Sequence, residues 1–501
     1  MPKQWTCRPL PYEVSAQDWY EAIRHLPMAV LLDSGKIPQS GTGKSHSQSR
    51  TGKNARFDIV TALPSTLVTA RLSGAREASP SLTMRLENLT DRSNPFCAEQ
   101  FSDPFALIQS LVSHFKPDLS PPLDSGFAGG AIGYFSYDLG LHLHDIKLSS
   151  QSRNVDGATG SFVSDFPVPA LIWGIYEWNI LIDHEKQSSH LLISPDVSTD
   201  TASQIQDSIA NTGTRSLSLP DFKPLKPPTC DVDASTYKNA FARAMAYIQA
   251  GDCYQVNLAR RFSTTCTGDP FSLYRQIRDR HGSPFSAYMD FAELQILSFS
   301  PERFLKVESN CVLTEPIKGT RPRGSDEKAD RQLSRELVNS PKDLAENLMI
   351  VDLLRNDLGQ CCVPGTVSVP DLQKLESFDN VHHLVSSITG KLAQGKSPMD
   401  LMRCCLPGGS ITGAPKRRTM AIIEELETGH RGVYCGSIGY YGFDGNLDSN
   451  IAIRTLYCTQ NELCFWGGGG IVADSLPEEE YQESQDKINF IYEALLAAAS
   501  K

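Results

Sequence analysis

The chain has 501 residues, 40% of them hydrophobic and 21% charged, which is typical of globular proteins with one large domain or two. The net charge of −11, with no tract dense in lysine and arginine, argues against nucleic acid as a partner. No run of about 18 apolar residues suggests a membrane span, and the first residues lack the apolar segment of a signal peptide. The 13 cysteines include no CxxC pair, which fits neither a disulfide framework nor a zinc site and favours a reducing, cytoplasmic location.

The first part of the chain, residues 1–211, is predicted to alternate short strands and helices. The polar, Gly/Ser-rich stretch 36–54 has no periodicity and is predicted to be a mobile loop. The sequence SDPFALIQSLVSHF predicts a helix capped by Asp103, with Pro104 in its first turn. Residues 170–194 predict two strands joined by the polar turn DHEKQS.

One motif in the polar loop resembles a nucleotide-binding P-loop. SGTGKS occupies residues 40–45, but the full motif requires a glycine at position 38, where this chain has proline. Proline has no N–H group to donate to a phosphate, and no clear helix follows the motif. The pattern therefore disfavours an NTPase.

The proline-rich segment 212–232 is the best linker candidate and precedes a predicted catalytic region at 233–498. This region begins with an amphipathic helix that ends near Gly251. The following strand, CYQVNLARRF, places Gln255 and Asn257 on one polar face. Further helices are predicted at PKDLAENLMIVDLLRNDLG and PKRRTMAIIEELE, and one terminal helix at PEEEYQESQDKINFIYEALLAAA.

Two helices carry carboxylates at helical spacing. Asp343 and Glu346 share one face of a helix, just before an apolar run that is expected to be buried. A buried Glu346 carboxylate would require a hydrogen-bonding or cationic partner. Glu480, Glu483 and Lys487 share a face of the terminal helix, which is also the pattern of a solvated ion pair. Two facing helices of this kind would suit Mg²⁺, which takes few carboxylates and several waters. Spacing alone leaves both interpretations open.

Several other residues have both a structural and a functional interpretation. The glycines in GGGGIVADS, 467–475, predict either a turn or a backbone that approaches an anion closely. Arg454, in an apolar strand, suits either a structural ion pair or a ligand carboxylate. His383 fits a core or a catalytic histidine. In EPIKGTRPRG, Lys318 lies where a predicted strand end becomes a loop, and Arg321 reads as part of a solvated turn.

These segments occur together in one family. The ordered blocks SPERF, PIKGTRPRG, AENLMIVDLLRND, HHLVSS, PGGSITGAPK, CGSIGY, AIRT, GGGGIVADS and EYQES closely resemble those of the chorismate-utilising enzymes, over about residues 240–490. LLDSG, ARFDIV and GGAIGYFSYDLG extend the resemblance into the first half of the chain. The implied fold is an α/β (α+β) sandwich of large antiparallel sheets with helices on the outside.

The resemblance also implies roles for individual residues. The implied Mg²⁺ ligands are Glu346 and Glu483, with Asp343 and Glu480 in the surrounding acidic shell. The implied groups around chorismate and its carboxylates are Arg454, Lys487, Thr320, Ser410, His383 and the backbone of Gly468, Gly469 and Gly470. Glu302, in SPERF, matches the general acid of the family.

Lys318 distinguishes branches of this family. Members that form anthranilate usually carry alanine there, whereas PIKGT resembles the aminodeoxychorismate synthase branch, which is an amino-group transferase. The lysine amine can attack ring carbon C2 with allylic loss of the C4 hydroxyl, after which ammonia attacks C4 and expels the lysine. Gln255 stands where members that add water carry a lysine base. The expected function is therefore aminodeoxychorismate synthase component I, with anthranilate synthase component I as the alternative.

The resemblance further implies two binding partners. No cysteine lies in the G-x-C-x-G context of a glutaminase nucleophile, so ammonia is expected from a separate glutaminase subunit in a heterodimer. A possible tryptophan pocket is implied at Ser34, Arg56, Phe57, Pro284, Phe285 and Ser286. A regulatory relative without turnover is the non-enzyme alternative, and the presence of every matched catalytic position argues against it.

Overall fold

The computed structural model describes residues 3–36, 56–75, 77–90, 94–123, 126–149, 166–210, 220–378 and 381–499. The predicted mobile loop, apart from Lys36, lies outside the described residues, as do the P-loop-like motif and residues 212–219 of the predicted linker.

The described residues form 24 strands and 12 α-helices. The strands are β1 Thr6–Leu10, β2 Val30–Asp33, β3 Phe57–Thr61, β4 Thr66–Ser73, β5 Ser81–Asn88, β6 Gly130–Phe135, β7 Leu171–Tyr176, β8 Trp178–Asp183, β9 Ser188–Ile193, β10 Lys223–Pro224, β11 Thr229–Cys230, β12 Gln255–Thr267, β13 Phe285–Asp290, β14 Leu294–Ser300, β15 Arg303–Glu308, β16 Cys311–Thr314, β17 Ile317–Pro322, β18 Ser368–Ser377, β19 Val381–Lys391, β20 Gly413–Ala414, β21 Ser437–Gly442, β22 Leu447–Asn450, β23 Thr455–Thr459 and β24 Glu462–Ile471. The helices are α1 Ala16–Ile23, α2 Pro104–Phe115, α3 Leu139–Leu143, α4 Thr199–Ala210, α5 Ala234–Gln249, α6 Pro270–His281, α7 Glu327–Val338, α8 Pro341–Gly359, α9 Pro398–Cys405, α10 Lys416–Leu426, α11 Pro477–Asp486 and α12 Asn489–Ala499.

The strands form two large antiparallel sheets. The first has the order β1-β9-β8-β3-β2-β13-β14-β23-β24-β12-β10, with β11 and β20 also beside β12. The second has the order β17-β19-β16-β15-β22-β21-β6-β7-β4-β5, with β18 beside β19. Every pairing between these strands is antiparallel. The predicted fold, a sandwich of antiparallel sheets with external helices, is confirmed.

Two apolar clusters hold these layers together. The larger contains side chains from both sheets, such as Met289 of the first and Phe135 of the second, and therefore lies between them. The smaller joins the outer face of the first sheet to helices α1, α6 and α12. Burial of apolar surface in such layers is the main stabilising term in a protein of this size.

Residues 170–194 differ from the prediction of two strands. They form three, because β7 belongs to the second sheet and β8 to the first. The chain changes sheets at Glu177, whose buried carboxylate accepts a hydrogen bond from Ser65. All twelve residues of β7 and β8 are buried, so neither strand shows the alternation of apolar and polar residues that would have marked the change of sheet.

The C-terminal segment forms two helices, where one was predicted. Helix α11 ends at Asp486, Lys487 occupies its C-cap, and α12 begins at Asn489. The lysine side chain turns back to donate to the carbonyl of Gly468, 3.1 Å away. Lys487 therefore contacts the sheet at the point where the two helices meet.

Both predicted sequence regions contribute strands to each sheet, and the described part of the predicted linker supplies β10 and β11. The division into an N-terminal and a catalytic region stays a prediction about the sequence. Within the described ranges, no helix combines the length and apolar character needed to cross a bilayer.

Candidate active site

A cavity of about 770 Å³ lies where the two sheets approach helices α8 and α11. Its walls come from β24 and β12 of the first sheet, from β17 and β19 of the second, and from these two helices. Twelve of the predicted site residues line it: Glu302, Lys318, Thr320, Asp343, Glu346, His383, Ser410, Arg454, Gly468, Gly470, Glu483 and Lys487. The structure thus brings together residues that are up to 185 positions apart, since Glu302 and Lys487 lie at its extremes.

Lys318 lies within an edge strand and not in a loop as the sequence suggested. Among the described strands β17 pairs with β19 alone, and its register shifts between Ile317 and Thr320. Gly319 takes a φ of +81°, a conformation that favours glycine. Lys318 lies at this irregular part of the strand, and its side chain lines the cavity. Its Nζ donates a hydrogen bond to the backbone carbonyl of Ser410 at 3.2 Å.

Glu302 lies beside this lysine and is only 5% exposed. Burial raises the pKa of Glu302 to about 7, although hydrogen bonds from Ser410 and the Ile317 N–H, and the charge of Lys318, act in the opposite direction. A carboxylic acid of this kind can hold a proton near neutral pH and release it to a leaving group. The predicted acid and the predicted nucleophile therefore share one wall of the cavity.

His383 is buried on β19 next to the same wall. Its Nδ1 lies 2.8 Å from Oγ1 of Thr320. Burial and, to a smaller extent, the positive charge of Arg454 lower the pKa of His383 to about 4. The imidazole is thus neutral at physiological pH and can serve as a hydrogen-bonding group towards a ligand.

The two carboxylates implied as metal ligands come from opposite helices. Burial raises the pKa of Glu346 on α8, where Lys318 and Lys342 oppose the effect and the Glu483 carboxylate adds to it. Burial also acts to raise the pKa of Glu483 on α11, but Lys487 outweighs it, with Nζ 2.6 Å from Oε1, and the pKa is lowered. Both carboxylates line the cavity, so the two helices present them to the same space.

The other two acidic residues each pair with a basic residue that the sequence did not single out. Glu480 accepts hydrogen bonds from Ser475 at 2.6 Å and from Lys342 at 3.1 Å. Arg321 donates to Asp343 at 2.9 Å and lines the cavity, so its interpretation as part of a solvated turn was wrong. Lys342 directly precedes Asp343 at the start of the helix. That proximity to the acidic residues was a signal in the sequence from which its role could have been predicted.

The residues present fit a divalent cation. Among the described residues, no group of three or more His, Cys, Asp and Glu side chains could hold a metal by itself. Mg²⁺ characteristically takes one or two carboxylates and completes its shell with water and substrate oxygens. The Oε2 atom of Glu480 is buried and has no hydrogen-bond partner in the described part of the chain. A cation or a hydrogen-bond donor at this oxygen would satisfy it.

Arg454 supplies a cation at the opposite side of the acidic cluster. It precedes β23 with a φ of +51°, and it lines the cavity with His383. Burial lowers the pKa of Arg454, but an arginine stays charged at neutral pH because its ordinary pKa is so high. No hydrogen-bond or ion-pair partner of its guanidinium is found among the described residues. An anionic ligand would provide that partner.

The predicted glycines lie at the end of β24, where no side chain would fit. A Cβ on Gly467 would lie 2.2 Å from the carbonyl of Ser484, and one on Gly470 would lie 2.4 Å from Nε2 of Gln255. Gly469 faces the acidic helix, where a Cβ would lie 3.0 Å from Oε2 of Glu480. Glycine allows the sheet, helix α11 and the cavity to meet at backbone distance.

Gln255 is fully buried beside the cavity, although it is not part of the wall. Neither its Oε1 nor its Nε2 has a partner within the described residues, and Gly470 lies against it. Asn257, two positions along the same face of β12, does line the cavity. The polar face predicted for this strand is therefore turned towards the site and not towards solvent.

A second cavity, of about 210 Å³, contains most of the predicted tryptophan residues. Arg56, Phe57, Pro284, Phe285 and Ser286 line it. The Arg56 guanidinium lies over the Phe57 ring at 4.6 Å and pairs with Asp183. Ser34 is buried near this cavity but is not in its wall, and its backbone N–H donates to Asp58. The occupant of this cavity stays a prediction.

Comparison with known proteins agrees with this geometry. A family model for chorismate binding enzymes matches residues 79–493. Aminodeoxychorismate synthase component 1 of Salmonella typhimurium is 39% identical, over 97% of each chain. Anthranilate synthase component 1 of Pseudomonas putida is 35% identical, over 79% of this chain and 80% of that one.

Solved structures agree as well. The crystal structure of anthranilate synthase component I from Streptococcus pneumoniae superposes with a TM-score of 0.69 and 28% identity, covering 91% of this chain and 95% of that one. The family match spans both sides of the predicted linker and includes every residue of the cavity wall. The chain belongs to the chorismate-binding enzyme family.

Proposed function

We propose that this chain converts chorismate and ammonia into 4-amino-4-deoxychorismate, as component I of an aminodeoxychorismate synthase. The observation that carries the proposal is the position of Lys318, whose amine lines the cavity beside the buried acid Glu302. Three relatives named aminodeoxychorismate synthase component 1 match 96–97% of the chain at 38–39% identity, which supports the same choice. Anthranilate synthase component 1 of Pseudomonas putida matches 79% of it at 35%, and aminodeoxychorismate synthase component 1 of Bacillus subtilis matches 78% of it at 34%.

The chemistry divides one displacement into two. Nζ of Lys318 forms a bond to C2 of the ring, both double bonds of the diene shift by one position, and the C4–O bond breaks. Glu302 donates the proton with which the hydroxyl leaves as water. Ammonia then forms a bond to C4, both double bonds shift back, and the C2–Nζ bond breaks with return of its electron pair to the lysine. The ring keeps its diene and gains nitrogen where oxygen was.

Cations around the cavity would hold the substrate carboxylates. Arg454 can bind one carboxylate through two parallel hydrogen bonds. Lys487 and the backbone of β24 form an adjacent positive region. Because Gln255 cannot accept a proton from water as a lysine base would, attack of water at C2 is disfavoured. Nitrogen transfer is thereby separated from hydration.

Mg²⁺ is proposed as the cofactor, held by Glu346 and Glu483 with Asp343 and Glu480 nearby; when bound, it would neutralise the acidic cluster and a substrate carboxylate. Glu483→Gln is expected to weaken Mg²⁺ binding at least about tenfold, because one of the few carboxylate ligands is lost. Isothermal titration with Mg²⁺ and a chorismate analogue measures this. Glu478→Gln, on the exposed side of the same helix, is the matched control, and equal affinities in the two variants would contradict the assignment.

The proposal is tested by identifying the product. Purified chain is incubated with chorismate, Mg²⁺ and ¹⁵N-ammonium at mildly alkaline pH, and the products are analysed by mass spectrometry. The proposal requires labelled 4-amino-4-deoxychorismate with its enolpyruvyl group intact. Labelled anthranilate with free pyruvate would assign the alternative function, and isochorismate would show that water is the nucleophile.

A second protein is expected to deliver the ammonia. Relatives are named component 1, which implies a second component for those enzymes, and no cysteine here lies in a glutaminase motif. We therefore expect the isolated chain to use ammonium but not glutamine. Glutamine-dependent turnover should appear only on addition of a class-I glutaminase subunit, with a complex visible by size-exclusion chromatography. Glutamine-dependent activity of the chain alone would refute this.

The 210 Å³ cavity is proposed to bind L-tryptophan. Its wall offers aromatic, apolar and charged groups, as an amphipathic amino acid requires. We expect tryptophan in the supernatant of denatured, extensively dialysed protein, or saturable binding when it is added back. Ser286→Trp should abolish both, because the new side chain would occupy part of the cavity, whereas Ser309→Trp in an exposed turn should abolish neither. Absence of tryptophan in both assays would exclude this ligand.

A further inference from the structure

Four cysteines meet where helices α8 and α9 end. Cys361 and Cys362 follow α8, and Cys404 and Cys405 close α9. The Sγ of Cys361 donates a hydrogen bond to the Sγ of Cys404 at 3.3 Å. These residues lie outside both cavities, and neither the family match nor the proposed reaction gives them a role.

The two thiols of this contact differ in exposure and acidity. Cys361 is 1% exposed, whereas Cys404 is partly open to solvent. The hydrogen bond from Cys361 lowers the pKa of Cys404 to about 7; burial opposes this, Lys396 and Arg403 add to it, and Asp400 acts against it. Burial raises the pKa of Cys362 and of Cys405. Cys404 is therefore the accessible nucleophile of the cluster, and Cys361 is the thiol in contact with it.

We propose that Cys404 and Cys361 form a reversible disulfide in response to a hydroperoxide. The Cys404 thiolate attacks one peroxide oxygen, the O–O bond breaks, and hydroxide leaves and is protonated to water. Cys361 then attacks the resulting sulfenic acid, the S–O bond breaks, and the departing oxygen takes the Cys361 proton as a second water. Two thiols are oxidised, and one hydrogen peroxide is reduced to two waters.

The geometry requires little movement. A disulfide needs an S–S separation of about 2.05 Å, and the present contact of 3.3 Å can close by rotation of side chains at two helix ends. The bond would link the end of α8, which carries Asp343 and Glu346 in its first turns, to the segment that leads from α9 to Ser410. It would therefore join two segments that also carry active-site residues.

A second pair provides an internal comparison. Cys266 and Cys458 have Sγ atoms 3.6 Å apart, and they are only 3% and 2% exposed. If contact distance alone determined oxidation, both pairs would react. The proposal requires that Cys404 react because a hydroperoxide can reach it, so the buried pair should stay reduced in the folded protein.

The test is peptide mapping of the full chain. Reduced protein is treated briefly with equimolar hydrogen peroxide, its free thiols are alkylated while it is still folded and again after denaturation, and peptides are analysed without reduction. We expect a linked peptide that contains Cys361 and Cys404, removed by dithiothreitol, in at least about tenfold excess over any Cys266–Cys458 link. Linkage of Cys404 to Cys405, equal oxidation of both pairs, or no oxidation at Cys404 would overturn the proposal.

Two variants separate attack from resolution. In Cys361→Ser, Cys404 should accumulate as sulfenic acid that dimedone labels, because the resolving thiol is missing. In Cys311→Ser, where an exposed cysteine is removed, the link should form as in the wild type. The oxidised wild type should also melt at a higher temperature than its reduced form, since a closed loop restrains the unfolded chain. Dimedone labelling of wild type equal to that of Cys361→Ser would show that no disulfide forms.

Discussion

Replacement of Lys318 by alanine should lower the rate of 4-amino-4-deoxychorismate formation by about 10³-fold or more, because the variant loses the nucleophile of a covalent pathway. The affinity for chorismate should change far less, since Arg454 and Lys487 remain to bind its carboxylates. Stopped assays with product identification measure the rate, and equilibrium titration measures binding. Lys374→Ala, on the exposed strand β18, is the matched control and should be as active as wild type.

The outcome with Lys318→Ala separates three accounts. A large loss of turnover with nearly unchanged binding supports the lysine as the reagent. Unchanged turnover would show that ammonia attacks the ring directly and that Lys318 is a bystander. An equal loss of binding and turnover would indicate that Lys318 binds a substrate carboxylate. In that case its amine would exchange the hydrogen bond to the Ser410 carbonyl for one to the substrate.

Replacement of Glu302 by glutamine is expected to lower turnover by about 10²–10⁴-fold, the usual contribution of a general acid. Burial raises the pKa of Glu302 to about 7, and the carboxyl can donate its proton only below that pKa. Wild-type turnover, compared at equal concentrations of free ammonia, should therefore fall as pH rises through about 7, where this group loses its proton. The variant should lack this limb of the pH profile, because glutamine does not titrate.

The control for this variant is Glu293→Gln, in an exposed turn. It should retain both the wild-type rate and the fall in turnover near pH 7. A limb near pH 7 that persists in Glu302→Gln would assign the titration to another group. Substrates with a better leaving group at C4 should rescue Glu302→Gln but not Lys318→Ala, because only the former lacks a proton donor.

The active-site residues could be predicted from the sequence because each lies in a short ordered block of its own. Lys318, Glu346 and Glu483 lie in three separate segments of the sequence, yet all three line one cavity. The basic partners Lys342 and Arg321 were missed, because their role depends on carboxylates brought close by the tertiary fold. Spacing along a helix cannot reveal a partner on another element.

The strand order could not be predicted, because it depends on pairings between distant segments. Strand β6, for example, lies between β7 and β21, and β2 lies between β3 and β13. The break between α11 and α12 was also missed, because the apolar pattern continues through it. Capped helices were predicted well: the Asp103 side chain accepts from the Phe105 N–H, as the sequence indicates.

The most direct test of the central claim is to capture the covalent adduct on Lys318. Wild-type chain and Glu302→Gln are incubated with chorismate and Mg²⁺ in the absence of ammonia and glutamine, quenched with acid, and analysed by intact-protein and peptide mass spectrometry. The account predicts that the wild type gains the mass of chorismate minus one water, located on the peptide that contains Lys318, and that this mass disappears on addition of ammonium. The contradicting result would be a wild-type chain that forms product with ammonium but shows no adduct on Lys318 at any quench time. That result would exclude covalent catalysis by Lys318.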